Sequence, residues 1–383
     1  MKVGIYSPYF GILGGGELYL GTIADILSKD HQVELISESE IPLDSYRKFF
    51  GLELTSVRTR KVDQIPFVES LVPFPTRLPK YKRSTNFTAD YDLFIIMPRN
   101  FRIPFRSLAR FNILHLQVPD HGSVSHRNFS EMRNQLVKRF WYPKRYRKFD
   151  AVLINSKFHL DVIRDRLQNA RAIVLPPPVS PKSNPGWAEK KRLILSVGRF
   201  FRGLHNKRHD VLIEAMRKLH DTFSEWRLAI AGGCNRDSES YVEELRNAAK
   251  DLPVDFYVNA PLDQLNELYR DAAFYWHAAG FQAPANMPER MEHFGISTVE
   301  AMSAGCVPIV FRGGGQLEIV EEAANGFFWQ SKEELISKTV DAIQRQHQLE
   351  PISNAAAERS KEFSRDRFGE KLLGVLASLR LGG

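Results

Sequence analysis

Hydrophobic residues recur along the chain in two alternating patterns. Short apolar runs, which are typical of buried parallel strands, alternate with stretches in which apolar residues return at about 3.6-residue spacing, as on one face of a helix. In the first part of the chain the predicted strands are KVGIY, QVELIS, YDLFIIM, FNILHLQ and DAVLINS, and the helix predicted after the first strand is GELYLGTIADILSK. This alternation predicts a doubly wound α/β domain.

A proline-rich segment, LPPPVSPKSNPG, interrupts the pattern. Neither a helix nor a central strand can continue through it, so it is read as a linker. The alternation then restarts with the predicted strands RLILSVG, WRLAIAGG, VDFYVN, AFYWHAA and CVPIV. We predict two Rossmann-like domains, 1–180 and 181–360, that face each other across a cleft at the carboxyl ends of their strands. The last residues, 361–383, are expected to form a helix that returns to the first domain.

Composition sets outer limits on the class of protein. The chain has 383 residues, 43% hydrophobic and 26% charged residues and two cysteines, which suits a two-domain globular protein without a disulfide framework. The beginning of the chain shows no apolar signal-peptide core, and no apolar run approaches the roughly 18 residues of a membrane span. We therefore expect a cytoplasmic protein.

Positive charge is concentrated in residues 99–148. This segment contains twelve Lys and Arg residues against two acidic ones, although the whole chain has a net charge of only +8. Such an excess predicts an anionic partner. Cations interleaved with aromatic residues in YPKRYRKF favour an anionic membrane surface or an anionic acceptor, whereas the helix FSEMRNQLVKRFW by itself fits an ordinary packed helix. Nucleic acid also fits the charge, but no nucleic-acid-reading motif occurs, so none is expected.

Two carboxylates bracket a predicted helix start in MEHFGISTVE. Ser297 followed three residues later by Glu300 is the pattern of a capping box. The same helix start presents backbone N–H groups that suit a phosphate, while carboxylates suit sugar hydroxyls. Glu292 and Glu300 are therefore candidates for holding two hydroxyl-bearing ends of one ligand around a diphosphate.

Further candidates follow strand ends. Arg199 comes directly after RLILSVG and Lys207 just before the next predicted helix, which predicts a clamp for a diphosphate leaving group. Gly15 and Gly16 lie in GILGGGEL after the first strand and would let backbone approach a phosphate. A complete dinucleotide fingerprint is lacking because Tyr19 takes the position of its third glycine, although Glu38 after the second strand could still act as a ribose-binding acid.

His115 lies near the end of the predicted strand FNILHLQ and is a candidate for the predicted cleft. With His121 and His126 it does not match a familiar metal-ligand spacing. The D-x-D at Asp90–Asp92 precedes its strand and reads as a turn. We expect neither a metal ion nor a cofactor.

Taken together, these motifs resemble glycosyltransferase family 4, which has the two-domain GT-B fold. The similarity spans nearly the whole chain. It is carried by EHFGISTVEAMSAGCVPIV with GGGQLEIV and NGFFW, and more weakly by GGGE, INSKF, LPPPV, SVGRF with NKRHDVLIEA, and LAIAGG. The resemblance implies transfer of a sugar from a nucleotide diphosphate donor, with retention at the anomeric carbon and without a metal.

The resemblance also implies residue roles. Glu292 would hold hydroxyls of the transferred sugar, Glu300 the ribose hydroxyls, and Arg199 and Lys207 the diphosphate, with His115 near the reacting centre. Sugar and phosphate would face the amides of Phe294, Gly295, Ile296 and Ser297. The interval from Arg199 to Lys207 is longer than in the common family pattern.

Substrate and pathway remain open at this level. EHFGI with WHAAGF is similar to mannosyltransferases that use GDP-mannose, while donors of the UDP-glucose type also fit. The acceptor would be a glycan, a lipid-linked sugar or a polysaccharide, reached from the cytoplasm or the inner face of a membrane. The rival interpretations are a sugar-nucleotide epimerase or hydrolase of the same fold, and a non-enzymatic protein that binds nucleic acid.

Overall fold

A computed structural model describes residues 1–12, 14–65, 85–99, 105–118, 143–203 and 206–380. The chain divides into two compact units. Unit 1 comprises Met1–Pro178 and Phe368–Gly383, and unit 2 comprises Val179–Arg367. The chain therefore leaves unit 1 inside the proline-rich segment and re-enters it within the last helix.

Unit 1 is built on a seven-stranded parallel sheet with the strand order β3-β2-β1-β4-β5-β6-β7. The strands are β1 (Lys2–Tyr6), β2 (Gln32–Ser37), β3 (Arg58–Lys61), β4 (Leu93–Ile96), β5 (Phe111–Leu116), β6 (Ala151–Ile154) and β7 (Ala172–Val174). The connecting helices are α1 (Gly15–Leu27), α2 (Leu43–Phe50) and α3 (Lys157–Leu167), and a 3-10 turn spans Asn86–Asp90. The order reverses between β1 and β4, which is the topological switch point of a doubly wound sheet.

Unit 2 contains a six-stranded parallel sheet with the order β10-β9-β8-β11-β12-β13. The strands are β8 (Lys191–Val197), β9 (Arg227–Gly232), β10 (Val254–Val258), β11 (Ala272–His277), β12 (Val307–Phe311) and β13 (Phe327–Trp329). The helices are α4 (His209–His220), α5 (Glu239–Ala248), α6 (Leu262–Asp271), α7 (Ile296–Ser303), α8 (Gln316–Ile319), α9 (Lys332–Gln344) and α10 (Glu350–Ser360).

Both faces of each sheet are covered, which explains the continuous apolar runs. In unit 1, Ile5 and Tyr6 are consecutive on β1 but belong to separate buried clusters, one on each face of the sheet. In unit 2, Ile194 and Leu195 on β8 divide in the same way. Successive side chains of a strand point to opposite faces, so a strand buried on both sides must be apolar at every position.

The last helix, α11 (Arg365–Arg380), belongs mainly to unit 1. Its buried residues Phe368, Leu372, Val375, Leu376 and Leu379 join the cluster formed by α1, β1 and β2. The ring of Phe368 meets that of Tyr19 edge-on, with centroids 5.0 Å apart. The C-terminal helix thus completes the core of the N-terminal unit.

Candidate active site

Two predicted site residues of unit 2, Arg199 and Glu292, lie on segments near the carboxyl ends of neighbouring strands, together with His277. Strand β8 leads into Gly198 and Arg199, its neighbour β11 ends at His277, and Glu292 lies on the segment that enters α7. In parallel α/β sheets this edge is where ligands bind, because helix N-termini and loop side chains meet there. The cluster therefore lies where the fold favours a binding site.

The Glu292 carboxylate is held in a buried ion pair. Its Oε2 accepts a hydrogen bond from Lys207 Nζ at 2.5 Å and lies 3.0 Å from His277 Nε2. Burial raises the pKa of Glu292, but Lys207 and His277 outweigh it and hold that pKa well below its usual range. Burial lowers the pKa of His277, so its ring is neutral near pH 7 and we assign the proton to Nε2, which donates to Glu292.

The glycine-rich turn after β12 fixes the backbone at Glu292. The Gly315 N–H donates to the Glu292 carbonyl at 2.7 Å. Gly314 has φ +60°, and a Cβ there would lie 2.2 Å from the same carbonyl oxygen. Only glycine meets both conditions, so the GGGQ motif serves to seat the loop that carries Glu292.

Helix α7 begins differently from the sequence prediction. Its N-cap is Gly295, with φ 119°, and no side chain caps the helix, so the predicted capping box is wrong. Ser297 lies inside the helix, and its Oγ accepts from the Tyr275 hydroxyl at 2.7 Å. Among the residues that the structure describes, none accepts a hydrogen bond from the amides of Ile296 and Ser297. These amides are open to an anionic ligand.

Glu300 faces two donors instead of capping the helix. The Tyr269 hydroxyl donates to its Oε2 at 2.9 Å, and Lys182 Nζ lies 3.2 Å from its Oε1. The Glu300 side chain is 19% exposed. Glu292, the α7 amides and Glu300 therefore follow one another along one short segment, as the sequence predicted.

The two predicted phosphate-binding cations differ in their surroundings. Arg199 is exposed and forms no ion pair within the described ranges, whereas Lys207 is paired with Glu292. A Cβ at Gly198 would lie 2.5 Å from Lys207 Cγ, and one at Gly232 would lie 1.9 Å from the Gly198 carbonyl oxygen. These glycines let the ends of β8 and β9 approach each other and let the stem of Lys207 lie against Gly198.

Residues 181–362 match the family model described as Glycosyl transferases group 1. The match covers most of unit 2, which is similar to a glycosyltransferase group 1 domain. Part of the chain is 32% identical over 206 residues to a human GDP-Man:Man(3)GlcNAc(2)-PP-Dol alpha-1,2-mannosyltransferase, covering 48% of this chain and 39% of the relative. The protein of the same name from Dictyostelium discoideum is 26% identical over 250 residues, covering 60% and 47%. The matched segments thus span less than half the length of these relatives.

Solved structures support the fold of the whole chain. HepE of Anabaena in complex with UDP and glucose has a TM-score of 0.71 at 18% identity and covers 99% of this chain and 100% of its own. Sucrose-phosphate synthase of Thermosynechococcus elongatus has a TM-score of 0.69 at 16% identity, with 100% of both chains covered. The predicted GT-B fold is confirmed, as is the predicted relationship to glycosyltransferases.

In unit 1, Gly15 and Gly16 open helix α1. The Gly14 N–H donates to Glu17 Oε2 at 2.9 Å, which caps the helix start. A Cβ at Gly16 would lie 2.3 Å from Gln117 Oε1, so this glycine permits a close approach to the residue that follows β5. Leu13, beside them, lies outside the described residues.

His115 is buried inside unit 1. Its ring stacks on Tyr19 with centroids 3.9 Å apart, and its side chain has no exposed surface. Burial lowers the pKa of His115 to about 3, so the ring is neutral. Tyr19 occupies the third position of the incomplete dinucleotide fingerprint, and its hydroxyl donates to the Leu175 carbonyl at 3.2 Å. The departure from that fingerprint therefore has a packing role.

Glu38 is engaged within unit 1. Its Oε1 accepts from the Tyr6 hydroxyl at 2.8 Å, and its Oε2 pairs with Arg99. A cavity of about 570 Å³ adjoins it, lined by Glu38, Lys61, Val62, Asp63, Gln64 and Arg99. The carboxylate is thus part of an internal network at the carboxyl edge of the first sheet.

Arg99 of the basic segment lies with Glu38, but four other described cations of that segment lie at the opposite edge of the sheet. Arg106 and Arg110 are exposed just before β5, and Arg147 and Lys148 are exposed just before β6. Because β5 and β6 are parallel neighbours, the four cations lie at the amino-terminal edge. The predicted helix FSEMRNQLVKRFW lies outside the described residues.

Sequence reasoning missed several side chains of the candidate site in unit 2, namely His277, Tyr269, Tyr275 and Lys182. His277 could have been found, because it ends the predicted strand AFYWHAA at the carboxyl edge. Lys182 offered no such signal, since it lies in the proline-rich segment. Over the described ranges, no three His, Cys, Asp or Glu side chains are placed to hold a metal ion, and no helix is both long and apolar enough to cross a bilayer.

Proposed function

We propose that the protein is a retaining glycosyltransferase that moves a hexosyl unit from a nucleotide diphosphate sugar to a glycan, lipid-linked or polysaccharide acceptor. The observation that carries this proposal is the arrangement around α7, where two carboxylates, Glu292 and Glu300, flank open helix amides and Lys207 pairs with Glu292. Carboxylates accept hydrogen bonds from sugar hydroxyls, while amides and cations bind phosphate oxygens.

Within this function, Glu292 binds hydroxyls of the transferred hexose and Glu300 those of the ribose. Phe294 to Ser297 present their amides to the sugar and the diphosphate, and Gly15 and Gly16 of unit 1 let backbone approach a phosphate. Arg199 and Lys207 neutralise the charge that develops on the diphosphate leaving group, so we propose that no metal is required.

The role of His115 belongs to the same proposal. We assign it to the neighbourhood of the reacting centre, and its stacking on Tyr19 supports action through helix α1, whose first residues include Gly15 and Gly16. The neutral ring packs against Tyr19 of that helix without adding charge to it.

For the donor we propose GDP-mannose, with UDP-glucose as the alternative. The curated relatives named above are GDP-mannose-dependent by their names, which supports GDP-mannose, and HepE was solved with UDP and glucose, which keeps the alternative open. We further propose a cytoplasmic enzyme that attaches peripherally to an anionic membrane through the basic segment 99–148.

A donor panel with and without acceptors tests the function. We expect GDP-mannose or UDP-glucose to raise the melting temperature, because a ligand that binds only the folded state stabilises it. Product should form only when an acceptor is present and should retain the anomeric configuration. Donor consumption without acceptor would favour the epimerase or hydrolase. Salt-sensitive RNA binding without sugar-nucleotide binding would favour the nucleic-acid-binding protein.

A further inference from the structure

Glu300 is fixed by two side chains to which the donor-binding motif gives no role. Lys182 Nζ contacts one carboxylate oxygen at 3.2 Å, and the Tyr269 hydroxyl donates to the other at 2.9 Å. The Lys182 ammonium also lies 5.7 Å from the centre of the Tyr269 ring. The carboxylate is therefore held from both oxygens, which sets the plane of the group.

Lys182 is itself anchored at its backbone. Its N–H donates to Ser303 Oγ at 2.9 Å, and Ser303 Oγ donates to the Glu300 carbonyl at 2.7 Å. The Lys182 side chain is only 8% exposed. Because main chain and side chain both contact α7, Lys182 approaches Glu300 from a fixed direction, unlike a lysine at the end of a mobile surface stem.

The geometry leaves acceptor capacity on Glu300. Each carboxylate oxygen has two lone pairs, and each carries one protein donor here, so each can accept one further hydrogen bond. Two vicinal hydroxyls, as on the 2′ and 3′ carbons of ribose, match two such sites. A fixed carboxylate loses less conformational entropy when these hydroxyls bind than a freely rotating one does.

We propose that Lys182 and Tyr269 are positioning residues that orient Glu300 toward both ribose hydroxyls and so make the site select ribonucleotides over deoxyribonucleotides. This inference rests on the proposed function, because it places the nucleotide ribose at Glu300. It adds a specificity that the pair of glutamates alone does not supply, since an unoriented carboxylate contacts one hydroxyl as readily as two.

The test compares binding of GDP and 2′-deoxy-GDP, and of UDP and 2′-deoxy-UDP, by titration calorimetry. The proteins are the parent, Lys182→Met, Tyr269→Phe and Lys182→Arg. Lys191→Met serves as the matched control, because Lys191 also pairs with a carboxylate of unit 2, Asp271, but is exposed. Melting temperatures and near-UV circular dichroism establish that each protein is folded.

For the nucleotide that the parent binds, we expect the ribose form to bind about tenfold to a hundredfold more tightly, as for loss of a hydrogen bond to a charged group. Lys182→Met and Tyr269→Phe should each weaken binding of the ribose form about tenfold. They should change the affinity for the deoxyribose form less than about threefold. Lys182→Arg should restore much of the preference, and Lys191→Met should leave it unchanged.

The possible outcomes distinguish failure of this inference from failure of the proposed function. If the parent binds neither nucleotide, the proposed function fails and the inference fails with it. If the parent selects ribose and the folded variants keep the same ratio, or weaken both forms equally, the pair is structural and only the inference is overturned. Should Lys182→Met fail to fold, Tyr269→Phe decides, because it removes a single oxygen atom.

Discussion

At the scale of single residues, the state of Glu292 depends on its two neighbours. Lys207 and His277 both contact Oε2, and the described residues offer no donor to Oε1. The buried carboxylate stays ionised because a cation compensates the cost of burial. One oxygen is therefore available to a sugar hydroxyl, while the other is held by the protein.

We predict that Glu292→Gln lowers the rate of sugar transfer about a hundredfold and changes the affinity for the nucleotide diphosphate little, because the side chain serves the sugar. Steady-state transfer and calorimetric titration with GDP and UDP measure the two effects. Glu243→Gln, at an exposed helical ion pair, is the control. Transfer at the parent rate by the Glu292→Gln variant would exclude Glu292 from the site.

Arg199 should bind phosphate, because its exposed guanidinium has no acidic partner in the described structure. Arg199→Ala is expected to weaken the binding of GDP or UDP about tenfold to a hundredfold. It should hardly change the binding of the corresponding nucleoside. The comparison is made by calorimetry. Arg202→Ala is the control, since Arg202 is exposed nearby but paired with Glu244. Equal losses for nucleotide and nucleoside would assign Arg199 a structural role.

Buried neutral histidines should make the protein sensitive to acid. His209 at the start of α4 is fully buried, its Nε2 lies 3.3 Å from the Gly198 carbonyl oxygen, and burial lowers its pKa to about 4. The unfolded chain takes up this proton near pH 6.5, but the folded chain does so only near pH 4. The free energy of unfolding therefore falls by about 1.4 kcal/mol per pH unit from His209 as the pH drops through this window.

His209→Gln should reduce this slope by about the same amount, because glutamine does not titrate. Urea unfolding followed by tryptophan fluorescence at pH 7, 6 and 5 measures it, since Trp226, Trp276 and Trp329 are buried in unit 2. Replacement of the exposed His347 by Gln is the control. An unchanged slope in the His209 variant would show that other groups cause the acid sensitivity.

At the scale of secondary-structure elements, the apolar pattern predicted the central strands and the edge strand β10 but missed the other three edge strands. Strand β3, RTRK, contains no apolar residue and is largely exposed at the edge of its sheet. Strands β7 and β13 have three residues each and also lie at edges. An edge strand needs no cover on both faces, so a short or polar one such as β3 leaves no apolar run to identify it.

The start of α7 shows why a local motif was misread. The pattern from Ser297 to Glu300 satisfies a capping box, yet the helix begins at Gly295 because of packing from a later turn. A Cβ at Gly295 would lie 2.6 Å from Gln316 Nε2, which donates to Thr298 Oγ1 at 3.0 Å. The contact between Gly295 and Gln316, about twenty residues apart in sequence, therefore decides where the helix begins. It outweighs the local capping preference of the four residues from Ser297 to Glu300.

A substitution at Gly314 tests the role of the glycine-rich turn after β12. We predict that Gly314→Ala lowers the free energy of unfolding by about 1–3 kcal/mol and reduces transfer, because a Cβ at φ +60° collides with the Glu292 carbonyl. Gly374→Ala in α11 is the matched control. No atom lies within 4 Å of that Cβ, so it should stabilise the helix by about 0.5–1 kcal/mol. If Gly314→Ala changed neither the free energy of unfolding nor the transfer rate, the turn would not be what positions the backbone at Glu292.

At the scale of the whole molecule, the sequence predicted the residues of the donor site better than their contacts. The glutamate pair and Arg199 lie within recognisable motifs, so they were found. The pairing of Lys207 with Glu292, and of Lys182 with Glu300, joins residues 85 and 118 positions apart. Only the folded sheet brings such positions together.

Membrane attachment is a property of the whole surface. If the basic segment binds anionic lipid, neutralising Lys144, Arg145, Arg147 and Lys148 together should release the protein from anionic vesicles, at about 1 kcal/mol per cation. Transfer to a soluble acceptor should persist, because these residues lie at the edge of the sheet away from its carboxyl ends. Co-sedimentation with anionic and neutral vesicles measures the effect. Equal binding of the parent to both vesicle types would point to an anionic acceptor.

The position of helix α11 in the chain affects how the protein folds during its synthesis on the ribosome. Residues up to Pro178 leave the ribosome first, but Phe368, which covers Tyr19, is made only after the whole of unit 2. At bacterial or eukaryotic rates of synthesis the delay is on the order of 10–40 s. During that interval unit 1 exposes the apolar face that α11 later covers. Unit 2, which is inserted into unit 1, can already fold. The nascent chain should therefore depend on chaperones at its first domain until its last helix emerges.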